Sequence, residues 1–135
     1  MSDVRRIQPP DLADSRPSGF TQVVTVRGGT LIFVSGQVAS DKDGRLVGRD
    51  DIGAQTHQVM KNVGAALRSA SAAFDDVVKL TIYVVDYKPS DRAKILEVRG
   101  QYIAPDKLPA STLVGVQALA REGYLIEVEA LAVTP

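Results

Sequence analysis

Residues 50–85 read DDIGAQTHQVMKNVGAALRSASAAFDDVVKLTIYVV, and a change of period inside this stretch decides the fold. Ile52, Thr56, Val59, Met60, Val63, Leu67, Ala70 and Phe74 recur at three- and four-residue steps. Such spacing lines one side of a helix, here about six turns long, with a single apolar stripe. Asp50 and Asp51 stand at its start, where exposed amides and the helix dipole favour negative charge, and Asp75-Asp76 is expected to end it. From Val77 to Val85 the period falls to two. Val78, Leu80, Ile82 and Val84 then share one face of a β-branched run that reads as a central strand. A helix with one apolar side beside a strand with one apolar face requires a helix layer on a sheet.

On the N-terminal side, Pro9, Pro10 and Pro17 among charged residues predict an irregular leader over residues 1–17. Val23 to Arg27 and Leu31 to Gln37 are β-rich, and Gly28-Gly29-Thr30 between them predicts a tight hairpin. On the C-terminal side, Pro89-Ser90-Asp91 resembles a helix entry with Ser90 as cap, Ile95, Val98 and Tyr102 mark its buried side, and Pro105 closes it. Ala110 to Val116 and Tyr124 to Val133 are the last strands. The order is ββαβαββ in one domain over residues 1–135, an α+β two-layer sandwich with a mixed sheet and both helices on one face. Val34 and Thr81 are expected on the uncovered face, and a bare face of that kind is most simply buried against other copies of the chain. Sites would then fall between subunits.

Composition narrows the function. The chain has 135 residues, with hydrophobic residues at 44% and charged residues at 24%, the range of a folded globular protein. Sixteen Lys and Arg balance sixteen Asp and Glu without a basic stripe, so nucleic acid is not expected as a partner. There is no cysteine, Met1 to Arg6 lead into polar, proline-containing sequence, and no run is near the ~20 apolar residues that cross a bilayer. A cytoplasmic protein without a membrane span is expected. His57, the one histidine, lies off the apolar stripe and is expected on the exposed helix surface. No metal site is expected, because a lone histidine cannot anchor a cluster and Asp41 and Asp43 read as loop punctuation.

The strongest chemical clue is Ile126-Glu127-Val128-Glu129-Ala130. In a strand, residues two apart share a face, so Glu127 and Glu129 point together while Ile126, Val128 and Ala130 feed a core. A carboxylate held at a cleft can orient water or take up a proton. This motif, with Phe33-Val34-Ser35-Gly36-Gln37, Asp76-Val77-Val78-Lys79 and Pro109-Ala110, resembles the RidA (YjgF) family, also named L-PSP endoribonucleases. The resemblance runs in order and spacing from Ser18 to Val133. It implies a chorismate-mutase-like homotrimer with clefts between subunits and hydrolysis of reactive imines or enamines, such as 2-aminoacrylate, to 2-oxo acids and ammonium. It implies no metal and no cofactor.

Carried over residue by residue, the resemblance makes Glu127 the water-orienting acid and Ser35 a substrate contact. Phe20, in Ser18-Gly19-Phe20-Thr21-Gln22, stands at the family's tyrosine and lacks the hydroxyl. Ser111 follows Pro109-Ala110 where the family's deaminases carry a carboxylate-clamping arginine. Exchanging a guanidinium fork for one neutral donor forfeits about 1.5–3 kcal/mol or more, a ten- to hundredfold loss in recognition of a 2-imino acid. Ser111 suits a neutral or differently charged ligand. Arg121, before the last strand, and Arg16, in the leader, are the candidate replacements for the missing cation. Three readings follow: a RidA-like hydrolase of altered substrate, a non-catalytic trimer that binds a small metabolite, and, last, an L-PSP-type endoribonuclease. The last is disfavoured by zero net charge and the lack of a histidine pair.

Overall fold

The computed structural model describes residues 2–135. Helix α1 spans Ile52–Ser69, and Asp51 caps it by accepting the Ala54 amide at 3.0 Å. Strand β4, Val77–Val85, occupies the predicted run, and Leu80, Ile82 and Val84 are fully buried. Helix α2 covers Pro89–Arg99, and strands β5 and β6 cover Ala110–Val116 and Ile126–Thr134. With strand β3, Thr30–Gln37, these form a four-stranded mixed sheet in the order β3-β6-β4-β5. Pairs β3–β6 and β4–β6 are antiparallel, and β4–β5 is parallel.

The core lies between this sheet and the two helices. Val59, Met60, Val63 and Leu67 of α1 and Ile95 of α2 meet Leu80 and Ile82 of β4 and Val128 and Ala130 of β6. The architecture is the expected α+β layering, helices on one face of a mixed sheet.

Several expectations are corrected. The leader is not irregular throughout: Asp3–Ile7 forms strand β1, paired antiparallel with β2, Val23–Arg27. Val4 and Arg6 turn to the half-buried side while Asp3, Arg5 and Ile7 face out, an alternation the nearby prolines obscure. The element order is therefore βββαβαββ. The predicted hairpin does not form either, since β2 pairs with β1 and β3 with β6. Gly28 and Gly29 do adopt positive φ, 75° and 88°, but the link passes from one sheet to the other. Gly29 has a second reason to be glycine, because a Cβ there would collide with the Thr134 carbonyl at the end of β6.

Helix α1 stops short of Ala70 and Phe74. Ser71 takes a left-handed φ of 58°, and Phe74 begins a separate turn of 3-10 helix, Phe74–Asp76. Ser90 is not the cap of α2; Lys88 holds that position, and the Asp91 carboxylate accepts its amide at 3.0 Å. Gly100, not Pro105, follows the last residue of α2. Val34 faces the helices and is 7% exposed, because its register partner Ala130 is also that of the buried Leu80. Thr81 does lie on the uncovered face, opposite Glu129. His57 is half-buried, with Nδ1 3.2 Å from the hydroxyl of Tyr102 just beyond α2, and is not a free surface residue.

One buried polar residue locks the entry to β6. Gln55 is fully buried in α1; its Nε2 donates to Gly123 O and its Oε1 accepts from Leu125 N, both at 2.8 Å. Gln55→Leu orphans both backbone groups, at about 1–3 kcal/mol each. The expected result is a lower urea midpoint with an unchanged m value. An unchanged midpoint would show that the loop does not depend on this clamp.

Candidate functional site

Glu127 and Glu129 emerge from β6 on the uncovered face, where their register partners on β4 are Tyr83 and Thr81. Their surroundings differ. Tyr83 donates its hydroxyl to Glu129 Oε1 at 2.6 Å, so one oxygen of that carboxylate is already engaged. The bond to Glu129, then partial desolvation, then the charges of Glu129 and Glu127 hold the phenol above its ordinary value of 10. Stability from this phenol is therefore present below the unfolded-state value and is lost as pH rises through the folded-state one. Tyr83 is expected to ionise above the ordinary phenol range. Glu129→Gln should bring that step back toward the ordinary range in a phenolate absorbance titration. An unmoved step would place the cause elsewhere.

Glu127 instead borders a small cleft of about 150 Å³ with Val38, Ser40, Tyr124 and Arg121. It leaves β6 across an irregular stretch of β3, where the register slips between Val34 and Gln37. Gly36 makes this passage possible, since a Cβ there would lie 2.8 Å from Glu127 Cδ. Ser35 is exposed beside this irregularity and borders a different cleft, of about 320 Å³, with Phe33, Lys79, Thr81 and Glu129.

Phe20 and Ser111 come together in a third cleft, of about 250 Å³, between β5 and α2. The segment before β2 is tied there by Thr21, whose amide donates to Pro109 O at 2.9 Å and whose hydroxyl donates to Leu108 O at 2.8 Å. Ser15 supports the same turn by donating to Phe20 O at 2.8 Å. Arg99, which the sequence reading did not select, also lines this cleft. Its signal was its place on the α2 stripe, four residues after Ile95 and three before Tyr102.

The five predicted residues thus divide into Phe20 with Ser111, Glu127 with Arg121, and Ser35 apart. Ser111 shares a register row with Leu80 on the helix face, whereas Glu127 shares one with Tyr83 on the open face. One protomer alone does not bring Glu127 to Ser111. Within one protomer neither proposed cation lies beside Ser111: Arg121 borders the Glu127 cleft, and both Nε and Nη2 of Arg16 are held by the Asp14 carboxylate at 2.8 Å. That pairing, through its hydrogen bonds, lowers the Asp14 pKa to about 2.

Two helices on one face of a β3-β6-β4-β5 sheet, with paired acids on the other, define the YjgF-like, chorismate-mutase-like class of α+β proteins. The family described as Endoribonuclease L-PSP matches residues 14–134, and the chain belongs to this RidA/YjgF family. A RutC family protein of Pyrococcus abyssi is 39% identical over 118 residues, 87% of this chain and 88% of its own. A Rid-family crystal structure from Yersinia pestis superposes with a TM-score of 0.90 at 39% identity, covering 97% of this chain and 98% of the other. RidA from an Antarctic Psychrobacter superposes with a TM-score of 0.69 at 29% identity, covering 80% and 84% of the two chains. No helix among the described residues is long and apolar enough to cross a membrane.

Proposed function

We propose that the protein is a cytoplasmic RidA-like hydrolase of small reactive imines or enamines. It works as a homotrimer in which Glu127 directs water in a cleft between subunits. The observation that carries this reading is the contrast between the two acids. Glu129 is engaged by Tyr83, whereas Glu127 stands at an open cleft, where a carboxylate can accept a proton from attacking water. Water adds to the carbon of the protonated imine as Glu127 takes its proton, giving a neutral carbinolamine; Glu127 returns that proton to the nitrogen, and the carbinolamine then expels ammonia as its hydroxyl proton passes to Glu127, leaving the carbonyl product.

The opposite facing of Glu127 and Ser111 supports a trimer, since a neighbour's surface is needed to complete a cleft containing both. Ser111 makes the substrate differ from that of deaminases clamped from β5. The test is ammonium release from imines generated in solution, compared between the wild type and Glu127→Gln. Absence of any acceleration by the wild type would leave a small-metabolite-binding trimer as the better account.

A further inference from the structure

Arg99 is 6% exposed on the buried side of α2. Its Nη2 donates to Gly19 O at 2.7 Å, and its Nε has no hydrogen-bond partner. No ion pair involves it among the described residues. Burying a guanidinium without a counter-charge is costly, and its own group shows the strain: burial lowers its pKa to about 10. A single neutral carbonyl leaves most of its five N–H donors unused.

Arg99 forms part of the wall between two clefts. In the first, with Pro17, Ile103, Pro105 and Leu108, the only other charged side chain is Arg16, which Asp14 already neutralises. In the second it faces Phe20, Leu96, Ser111 and Leu113, and the exposed Arg92 stands at the rim. No acidic side chain lines that second cleft. Two cations, the Ser18 and Ser111 hydroxyls and an apolar wall therefore converge on about 250 Å³.

We propose that Arg99, assisted by Arg92, is the anion-binding residue of this cleft and that its ligand is a small organic acid. The carboxylate meets the guanidinium from the α2 side, and the hydrocarbon part rests on Phe20, Leu96 and Leu113. Ser111 then leaves open the space a β5 arginine would fill, so the carboxylate sits nearer α2 and the acid admitted differs in shape from that of the β5-clamped deaminases. This deepens the functional reading above, and rests on it only in taking this cleft as part of the substrate site.

The probe is 2-oxobutyrate, a stable carbonyl acid, titrated calorimetrically into the whole protein at low ionic strength. Wild-type protein is expected to bind it. Arg99→Met should weaken binding at least about tenfold, Arg99→Lys should recover part of that loss, and Arg92→Ala should weaken it about threefold. Because Arg99→Met also releases the Gly19 carbonyl, circular dichroism and thermal melting accompany each variant; if it fails to fold, Arg99→Lys and Arg92→Ala decide. A purely structural Arg99 would shift melting without separating the affinities of these variants. No binding by the wild type, or equal affinity in wild type, Arg99→Lys and Arg92→Ala, overturns the proposal. Calorimetry reads binding without turnover. Arginine-dependent binding with no ammonium release keeps the anion site and sinks the hydrolase, whereas ammonium release with KM unmoved by both variants does the reverse.

Discussion

Glu127→Gln is expected to lower the rate of imine hydrolysis by about 10²–10⁴-fold, the usual contribution of a positioned general base, while ligand affinity stays within about threefold. Glutamine keeps the volume and one acceptor oxygen of the side chain, so the close contact with Gly36 survives, but it cannot take the proton that water must lose. The informative control is Glu129→Gln. Glu129 already accepts the Tyr83 hydroxyl, so its loss should cost well under the effect at Glu127, about tenfold at most. Progress of ammonium and carbonyl product under saturating substrate measures both. Equal losses at the two positions would mean that the pair acts as a shared field and not as one base. Full activity in Glu127→Gln would remove the proposed mechanism.

What the sequence discloses follows from how local each signal is. Strand β4 appears at its predicted limits because a β-branched run bounded by Asp76 and Asp86 has one way to bury its alternate residues. Glu127 and Glu129 share a face as their spacing requires, for the same reason. The predicted hairpin failed because a turn can be read from Gly28-Gly29, whereas the partner of a strand is a long-range choice, and β6 outcompeted β2 for the edge of β3. Gln55 and Arg99 were overlooked although both lie on apolar stripes, at positions three after Ile52 and four after Ile95. Counting only apolar residues hides a polar side chain at a buried helical position, which is where a specific clamp or ligand contact resides. The gathering of Phe20 beside Ser111 depends on Thr21 reaching Leu108 and Pro109 across most of the chain, and no local pattern encodes that contact.

Phe33→Glu is expected to convert the proposed trimer to monomers of about 14.4 kDa in analytical ultracentrifugation and to abolish turnover with it. Phe33 is 76% exposed and Leu31 58%, with Leu131 beside them on the same open face, so water meets an apolar surface that a monomer has no reason to keep. Burying one such phenylalanine contributes about 1.5–3 kcal/mol, and a closed ring repeats the gain at each seam. A carboxylate in its place must be desolvated without a partner, which reverses the sign of the contribution. The fold itself should survive, since Phe33 lies outside the core between sheet and helices, and the variant should retain its helical circular dichroism. Loss of turnover follows from topology: in a lone protomer Glu127 and Ser111 lie on opposite faces of the sheet, with β4 between their strands. A Phe33→Glu monomer that still hydrolysed imines would show that Glu127 and its own small cleft suffice, and the role assigned to the subunit seam would fail with it.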